Sequence, residues 1–176
     1  YVPQVTEVNQ NLLASHDTER LLHAAGGDPD RARLATVFQL TAPGAPGLYY
    51  GDEVGMSGGE EPASRGAFPW HEPERWDGEM LATVRELTAL RRRFPALRKG
   101  GFRVVWQAED AFGFVRGYEG ERLLVVVNRG GLAKRFEVPV RSERPKLLWG
   151  SGAVQGRAEA VVVDNLAAMA ALVARL

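Results

Sequence analysis

Asn11-Leu12-Leu13-Ala14-Ser15-His16-Asp17-Thr18-Glu19-Arg20 sets a compact apolar run directly against polar and ionisable residues. A run this short, ended this way, reads as a buried strand over Asn11–Ser15. Its C-terminal end then presents His16 and Asp17. Downstream, Asp28-Pro29 supplies an N-cap and a proline at the first helical position. Leu34, Val37, Phe38 and Thr41 recur at helical spacing and predict an amphipathic helix over Pro29 to Thr41, which Pro43-Gly44-Ala45-Pro46 stops. Gly47-Leu48-Tyr49-Tyr50-Gly51 reads as a second short buried strand, and Gly51 to Arg75 as loop. Asp77 is a candidate N-cap for another helix. Met80, Leu81, Val84, Leu87 and Leu90 would form the buried face of that helix, which ends before Pro95. Strand–helix–strand–helix with short connections is the alternation of a parallel sheet. Two such units are too few to complete one.

The rhythm changes near Gly100-Gly101. Phe102–Ala108, Phe112–Glu119, Leu123–Asn128, Lys134–Val140, Lys146–Trp149, Ala160–Val163 and Met169–Leu176 read as short strands. Turn signals such as Glu119-Gly120 and Arg129-Gly130-Gly131 separate them, which predicts an antiparallel sandwich. The alanines after Met169 would equally suit a helix. The expected division is 1–99 for a portion of an α/β domain and 100–176 for an all-β domain.

Composition narrows the partners. Apolar residues make up 45% and charged residues 25% of 176, the usual mixture of a globular chain. Lys+Arg and Asp+Glu balance at 22 each, so no global field favours nucleic acid or an anionic membrane. Without Cys there is no disulfide framework and no thiolate metal site, which fits a reducing compartment and a cytoplasmic location. No apolar run reaches the length of a membrane span. Tyr1 to Gln10 lack an initiator Met and the basic-then-apolar pattern of a signal peptide, so the chain is expected to begin inside a longer protein.

Catalytic groups and ligands of α/β folds collect at the C-terminal ends of strands, where His16 and Asp17 fall. An ionised Asp there accepts hydrogen bonds from sugar hydroxyls and favours positive charge developing at an anomeric carbon. The segment Leu12–Arg20 resembles the signature region after barrel strand seven of the α-amylase family. Gly44-Ala45-Pro46-Gly47-Leu48-Tyr49-Tyr50-Gly51-Asp52-Glu53-Val54-Gly55-Met56 resembles that family's strand-eight segment, at the expected distance. The match continues through Ser57–Arg65 and Phe68-Pro69-Trp70. It is most similar to the neopullulanase, cyclomaltodextrinase and maltogenic amylase subgroup, and Leu90–Arg98 is similar to the subgroup's last barrel helix and exit.

The resemblance implies a fold of α/β plus all-β type. It would comprise the last two βα units of a TIM (β/α)8 barrel followed by a small antiparallel β-sandwich. It also implies a retaining glycosidase acting on α-glucans such as malto-oligosaccharides, cyclodextrins, pullulan or starch. Family members use an Asp nucleophile after strand four and a Glu acid/base after strand five, and no segment here resembles either motif. Asp17 matches the family's transition-state-stabilising Asp, and His16 its substrate-binding neighbour. Ser15 stands where the family often has Asn. The isolated chain is therefore expected to be inactive, with activity belonging to the complete enzyme. A transglycosylase of the same family and a non-catalytic barrel scaffold are the alternatives.

Arg65 divides evenly between clamping its loop and binding a sugar hydroxyl. Asp52 and Glu53 read as loop-holding groups with sugar contact as the alternative, Tyr49 and Tyr50 as core with sugar stacking as the alternative, and Trp70 and Trp76 as packing over the barrel end with the lining of distant subsites as the alternative. Arg91-Arg92-Arg93 reads as a solvated helix C-terminus, where cations favour the dipole. The three His residues are dispersed and form no metal-ligand constellation. No cofactor is expected of this segment, and calcium elsewhere in a complete barrel stays open. Open strand edges and uncovered apolar faces at Leu34, Val37, Phe38, Val84 and Leu87 predict that the fragment self-associates.

Overall fold

In the computed structural model of the chain, the described residues are Val5 and Val8–Leu176; the remainder of the opening stretch, residues 1–4, 6 and 7, lies outside them. They divide into two compact units. One holds the described residues up to Leu40 with Gly44–Ala89, and the other Thr41–Pro43 with Leu90–Leu176.

In the first unit, strand β1 (Gln10–Leu12) pairs in parallel with β2 (Ala45–Gly47), matching Gln10 to Ala45, Asn11 to Pro46 and Leu12 to Gly47. A short helix α1 (Leu21–Ala24) and the longer α2 (Pro29–Thr41) connect them. Asp28 starts α2 as its composition predicts: Oδ1 accepts from the backbone N–H groups of Asp30 at 3.0 Å and Arg31 at 3.2 Å. On the inner face of α2, buried Gln39 donates through Nε2 to the carbonyls of Asn11 at 2.8 Å and Gly47 at 2.9 Å. One amide group thus ties both strands to the helix. Helix α3 (Gly78–Arg93) is capped by Asp77 Oδ1, which accepts from Glu79 N–H at 3.0 Å and Met80 N–H at 2.9 Å. Arg33 of α2 reaches Glu79 at 2.6 Å and Asp77 at 3.7 Å, so the two helices meet through charge as well as packing. Ala14, Leu21, Ala32, Met80 and Val84 form this unit's core.

The two expected helices match the sequence reading, α1 was not anticipated, and the strands are displaced. The first ends at Leu12 rather than Ser15, because Ser15 and Thr18 turn on each other: Ser15 N–H donates to Thr18 Oγ1 at 2.9 Å. The second lies at Ala45–Gly47 rather than Gly47–Tyr50, since the ladder stops where β1 stops. Nor is the first strand buried; Leu12 is 53% exposed. The apolar helix faces differ too. Leu34, Val37, Val84 and Leu87 are buried, and of the five residues expected to be uncovered only Phe38 is exposed. Leu12, Leu13, Leu48 and Tyr50, around the two-stranded sheet, are the exposed set instead.

The second unit is all antiparallel after a short helix α4 (Pro95–Lys99). Its strands are β3 (Gly101–Gln107), β4 (Ala111–Tyr118), β5 (Glu121–Asn128), β6 (Lys134–Val138), β7 (Lys146–Gly150), β8 (Ala153–Gly156), β9 (Val161–Leu166) and β10 (Ala170–Arg175). One sheet runs β3-β4-β5-β10-β7 and the other β6-β9-β8. Val115, Leu124, Val126 and Leu172 of the first sheet share a core with Phe136, Val138, Val161 and Val163 of the second. Helix α4 lies on β4 and β5. The seven expected strands are present, and the eighth, β8, escaped notice because Ala153-Val154-Gln155-Gly156 is short and carries little apolar signal. The alanine-rich end is strand, not helix: β10 sits centrally between β5 and β7, where Ala171–Ala174 are buried. Among the described residues no helix is long and apolar enough to cross a membrane.

Asn128 holds the far end of this unit. Fully buried, its Nδ2 donates to the carbonyls of Ala167 at 2.8 Å, Leu132 at 3.0 Å and Leu166 at 3.3 Å, and Oδ1 accepts from Gly130 N–H at 3.1 Å. Asn128→Ala leaves these groups without that partner and should cost about 2–4 kcal/mol. A lowered urea midpoint with unchanged slope is the expected reading. A midpoint equal to wild type would show that the loops repair themselves.

Candidate active site

The turn after β1 fixes the first two candidates. Asp17 N–H donates to Ser15 Oγ at 3.2 Å, so Ser15 shapes the backbone that carries the carboxylate. His16 Nε2 lies 3.1 Å from Asp17 Oδ2, with the two side chains 66% and 70% exposed. The third candidate arrives from a separate loop, on the 3-10 turn Ala63–Arg65. Arg65 Nε donates to the His16 carbonyl at 3.1 Å, and its Nη2 lies 3.6 Å from Asp17 Oδ1. Its Nη1 pairs with Glu61 at 2.9 Å. The structure therefore brings His16, Asp17 and Arg65 together. The cluster offers a solvent-facing carboxylate, an imidazole and a guanidinium: acceptors and donors for hydroxyl groups, and a negative charge for a cationic centre. Among the described residues no group of three or more His, Asp or Glu could hold a metal ion.

Below this surface lies a residue that the sequence reading passed over. Arg20 is fully buried, and its backbone N–H donates to the Gly58 carbonyl at 2.9 Å. Its guanidinium lies over the rings of Tyr49 and Tyr50, 4.7 Å from each centre, and Nη1 donates to the Tyr50 carbonyl at 2.6 Å. Tyr49 packs against this unit's core as expected, whereas Tyr50 is exposed; together they cradle the cation, and Tyr50 also donates its hydroxyl to the Gly66 carbonyl at 2.9 Å. Gly51 passes above at φ 88°, where a Cβ would stand 2.2 Å from Met56 Sδ and 3.2 Å from Arg20 Nη1. Glu53 accepts from Gly51 N–H at 2.7 Å, the loop-holding task expected of it. The sequence holds Arg20 three residues beyond Asp17 and a Tyr49-Tyr50 pair downstream, but no local signal that they meet.

Asp52 brings a carboxylate toward the Arg20 guanidinium. It is buried; its Oδ1 lies 3.8 Å from Arg20 Nη1, and that oxygen has no hydrogen-bond partner among the described residues. Burial pushes its carboxyl up to about 6, over the opposing pull of Arg20 and the Leu21 N–H. An unfolded Asp titrates near 3.9, so between about pH 4 and pH 6 the folded chain keeps a proton that the unfolded chain has released. The stability contributed by this group is complete below about pH 4 and is lost as the pH rises through about 6. The melting temperature of wild type relative to Asp52→Asn should fall from pH 4 to pH 7. Parallel curves for the two proteins would show that Asp52 ionises normally.

Comparison with known proteins agrees with this architecture. The profile described as "Alpha amylase, catalytic domain" matches residues 2–129. A cyclomaltodextrinase from Geobacillus thermopakistaniensis (strain MAS1) is 38% identical over 143 residues, covering 80% of this chain and 24% of that protein. Neopullulanase 2 of Thermoactinomyces vulgaris is 40% identical over 134 residues, covering 74% of this chain and 23% of its own length. Among solved structures, the Nostoc punctiforme debranching enzyme superposes with a TM-score of 0.86 at 36% identity, covering 96% of this chain and 36% of that one. The chain thus spans about a quarter of the length of the curated relatives it matches. Shared sequence over most of the chain and a shared fold lead to one conclusion: it belongs to the α-amylase family, close to the neopullulanase, cyclomaltodextrinase and maltogenic amylase subgroup.

Proposed function

We propose that this chain is the C-terminal part of a retaining glycoside hydrolase acting on α-glucans. In this reading residues 1–99 supply the last two βα units of the barrel and 100–176 the β domain. The observation that carries it is the convergence of His16, Asp17 and Arg65 from two loops onto one exposed carboxylate. Relatives named cyclomaltodextrinase, neopullulanase and debranching enzyme support the choice of substrate class.

Asp17 faces the sugar at the scissile bond. Its charge opposes the positive charge that grows at the anomeric carbon and costs nothing to reorganise, because Ser15 and Arg65 already hold it. His16 donates to a hydroxyl of the same sugar. Arg65 is a positioning residue here, since its guanidinium is engaged by the His16 carbonyl, Asp17 and Glu61. The nucleophile and the general acid, about 5 Å apart in retaining enzymes, come from the barrel segment preceding this chain.

The test compares the isolated chain with a barrel completed by the six preceding strands, from the parent protein or a relative. The isolated chain should turn over neither cyclodextrin, pullulan nor starch. In the completed barrel, Asp17→Asn keeps shape and removes charge, so kcat should fall on the order of 100-fold or more with a smaller change in KM. A near-normal kcat would reduce Asp17 to a structural cap. The isolated chain should also self-associate through the exposed Leu12, Leu13, Leu48 and Tyr50 around its open two-stranded sheet. Light scattering over a dilution series reads this directly, and a monomer at every concentration would contradict it.

A further inference from the structure

Arg20 lies three residues along the chain from Asp17, and its contacts lead back to that carboxylate. Its backbone N–H holds the Gly58 carbonyl at 2.9 Å, and Nη1 holds the Tyr50 carbonyl. Nη1 sits 2.6 Å from that carbonyl and 3.8 Å from the Asp52 carboxylate, so Tyr50 sets the place of the guanidinium. The Tyr50 ring faces the same guanidinium from 4.7 Å and reaches onward, its hydroxyl donating to the Gly66 carbonyl at 2.9 Å. Gly66 adjoins Arg65, whose Nε donates to the His16 carbonyl and whose Nη2 faces Asp17 Oδ1. The contacts close a circuit. It runs from Asp17 along the chain to Arg20, across to Tyr50, across to Gly66, back one residue to Arg65, and across to Asp17. Loops joined at a single point would swing about it; loops joined in a circuit hold one another's distance.

We propose that Arg20 is a positioning residue for the α-glucan reaction, setting through Tyr50 and Arg65 where the Asp17 carboxylate stands against the sugar. The proposal rests on the Asp17 reading given above. Asp17 is 70% exposed, so burial does not fix it. A charge that opposes a developing cation works only from its proper place, and a displacement of about 1 Å can cost about 100-fold in rate. Arginine suits the task. Its planar group donates along an edge while its faces lie against aromatic rings, and it keeps its charge at every working pH. Its burial is also costly: Nε and Nη2 have no hydrogen-bond partner among the described residues. An apolar side chain of similar volume would fill the space without that cost. What an apolar side chain cannot do is hold the Tyr50 carbonyl, and with it the crossing from the segment after β1 to the segment after β2.

The test is kinetic, in the completed barrel with cyclodextrin as substrate. Tyr50→Phe keeps the ring against the guanidinium and removes the bond to Gly66. Its kcat should fall about tenfold with KM within about twofold of wild type. Because Tyr50 is exposed, the melting temperature should match wild type, which separates misplacement from lost fold. Arg20→Lys keeps a charge and gives up the planar group, so its kcat should fall at least as far; Tyr50→Phe carries the test if that variant does not fold. Coupling identifies the route. Where Asp17 is already Asn there is no carboxylate to place, so adding Tyr50→Phe should change kcat by less than about twofold. An unchanged kcat in Tyr50→Phe alone, or the same tenfold loss in both backgrounds, would overturn the proposal and leave the loss in Asp17→Asn standing. A normal kcat in Asp17→Asn alone would sink both readings, so the two failures are told apart.

Discussion

A guanidinium buried where no carboxylate fully neutralises it is the constraint around which the candidate site is arranged. Arg20 is fully buried, and its closest carboxylate, Asp52, is 3.8 Å away and held up near pKa 6. A cation taken out of water without a tight ion pair must recover its solvation from dipoles and π faces. The Tyr50 carbonyl and the rings of Tyr49 and Tyr50 provide these. Those groups lie on the segment leaving β2, whereas Arg20 lies on the segment leaving β1. Burying the one cation thus fixes two loops to each other. The His16–Asp17 pair and the Arg65 turn are the exposed ends of those same loops.

This arrangement separates rigidity from exposure. Groups that touch solvent, His16, Asp17 and Arg65, are held by hydrogen bonds and ion pairs rather than by burial. Groups beneath them are held by burial and leave polar atoms unmatched: Arg20 Nε and Nη2, Asp52 Oδ1 and Gln39 Oε1 lack hydrogen-bond partners among the described residues. Unmatched buried polar atoms cost stability. They are concentrated in the barrel portion, at the loops and at the helix that ties the two parallel strands. The all-β unit, in contrast, satisfies its buried Asn128 at both ends of the amide and closes a core from two sheets. The contrast matches what each part is: a slice of a closed parallel barrel on one side, a sandwich with its own core on the other.

The chemistry of the site follows from which face each side chain shows. Asp17 and His16 keep most of their surface open because the strand beneath them ends at Leu12 and the chain turns at once on Ser15 and Thr18. Arg65 directs one nitrogen to the His16 carbonyl and another toward Asp17, so its charge is committed to shaping the cluster. The loop between Asp52 and Arg75 performs two tasks, delivering Arg65 at one point and walling a concavity with Met56, Phe68 and Pro69 at another.

Local signals carried far in this chain. Asp28 and Asp77 as helix caps, the span Pro29–Thr41, the end of α3 before Pro95 and seven of the eight antiparallel strands were all legible. Each is decided by neighbours a few residues apart, through capping bonds, turn residues and alternation. The resemblance of Leu12–Arg20 and Gly44–Met56 to known motifs gave the family and pointed to Asp17 and His16 as candidates. What only the tertiary structure decided were properties set by distant partners. The parallel strands sit at Gln10–Leu12 and Ala45–Gly47 because each needs the other's length, and β8 exists because β9 pairs with it. Arg65 meets His16 across 49 residues, and Arg20 disappears beneath Tyr49 and Tyr50. An arginine reads as surface in any local window, because the energy that buries it comes from rings and a carbonyl some 30 residues away.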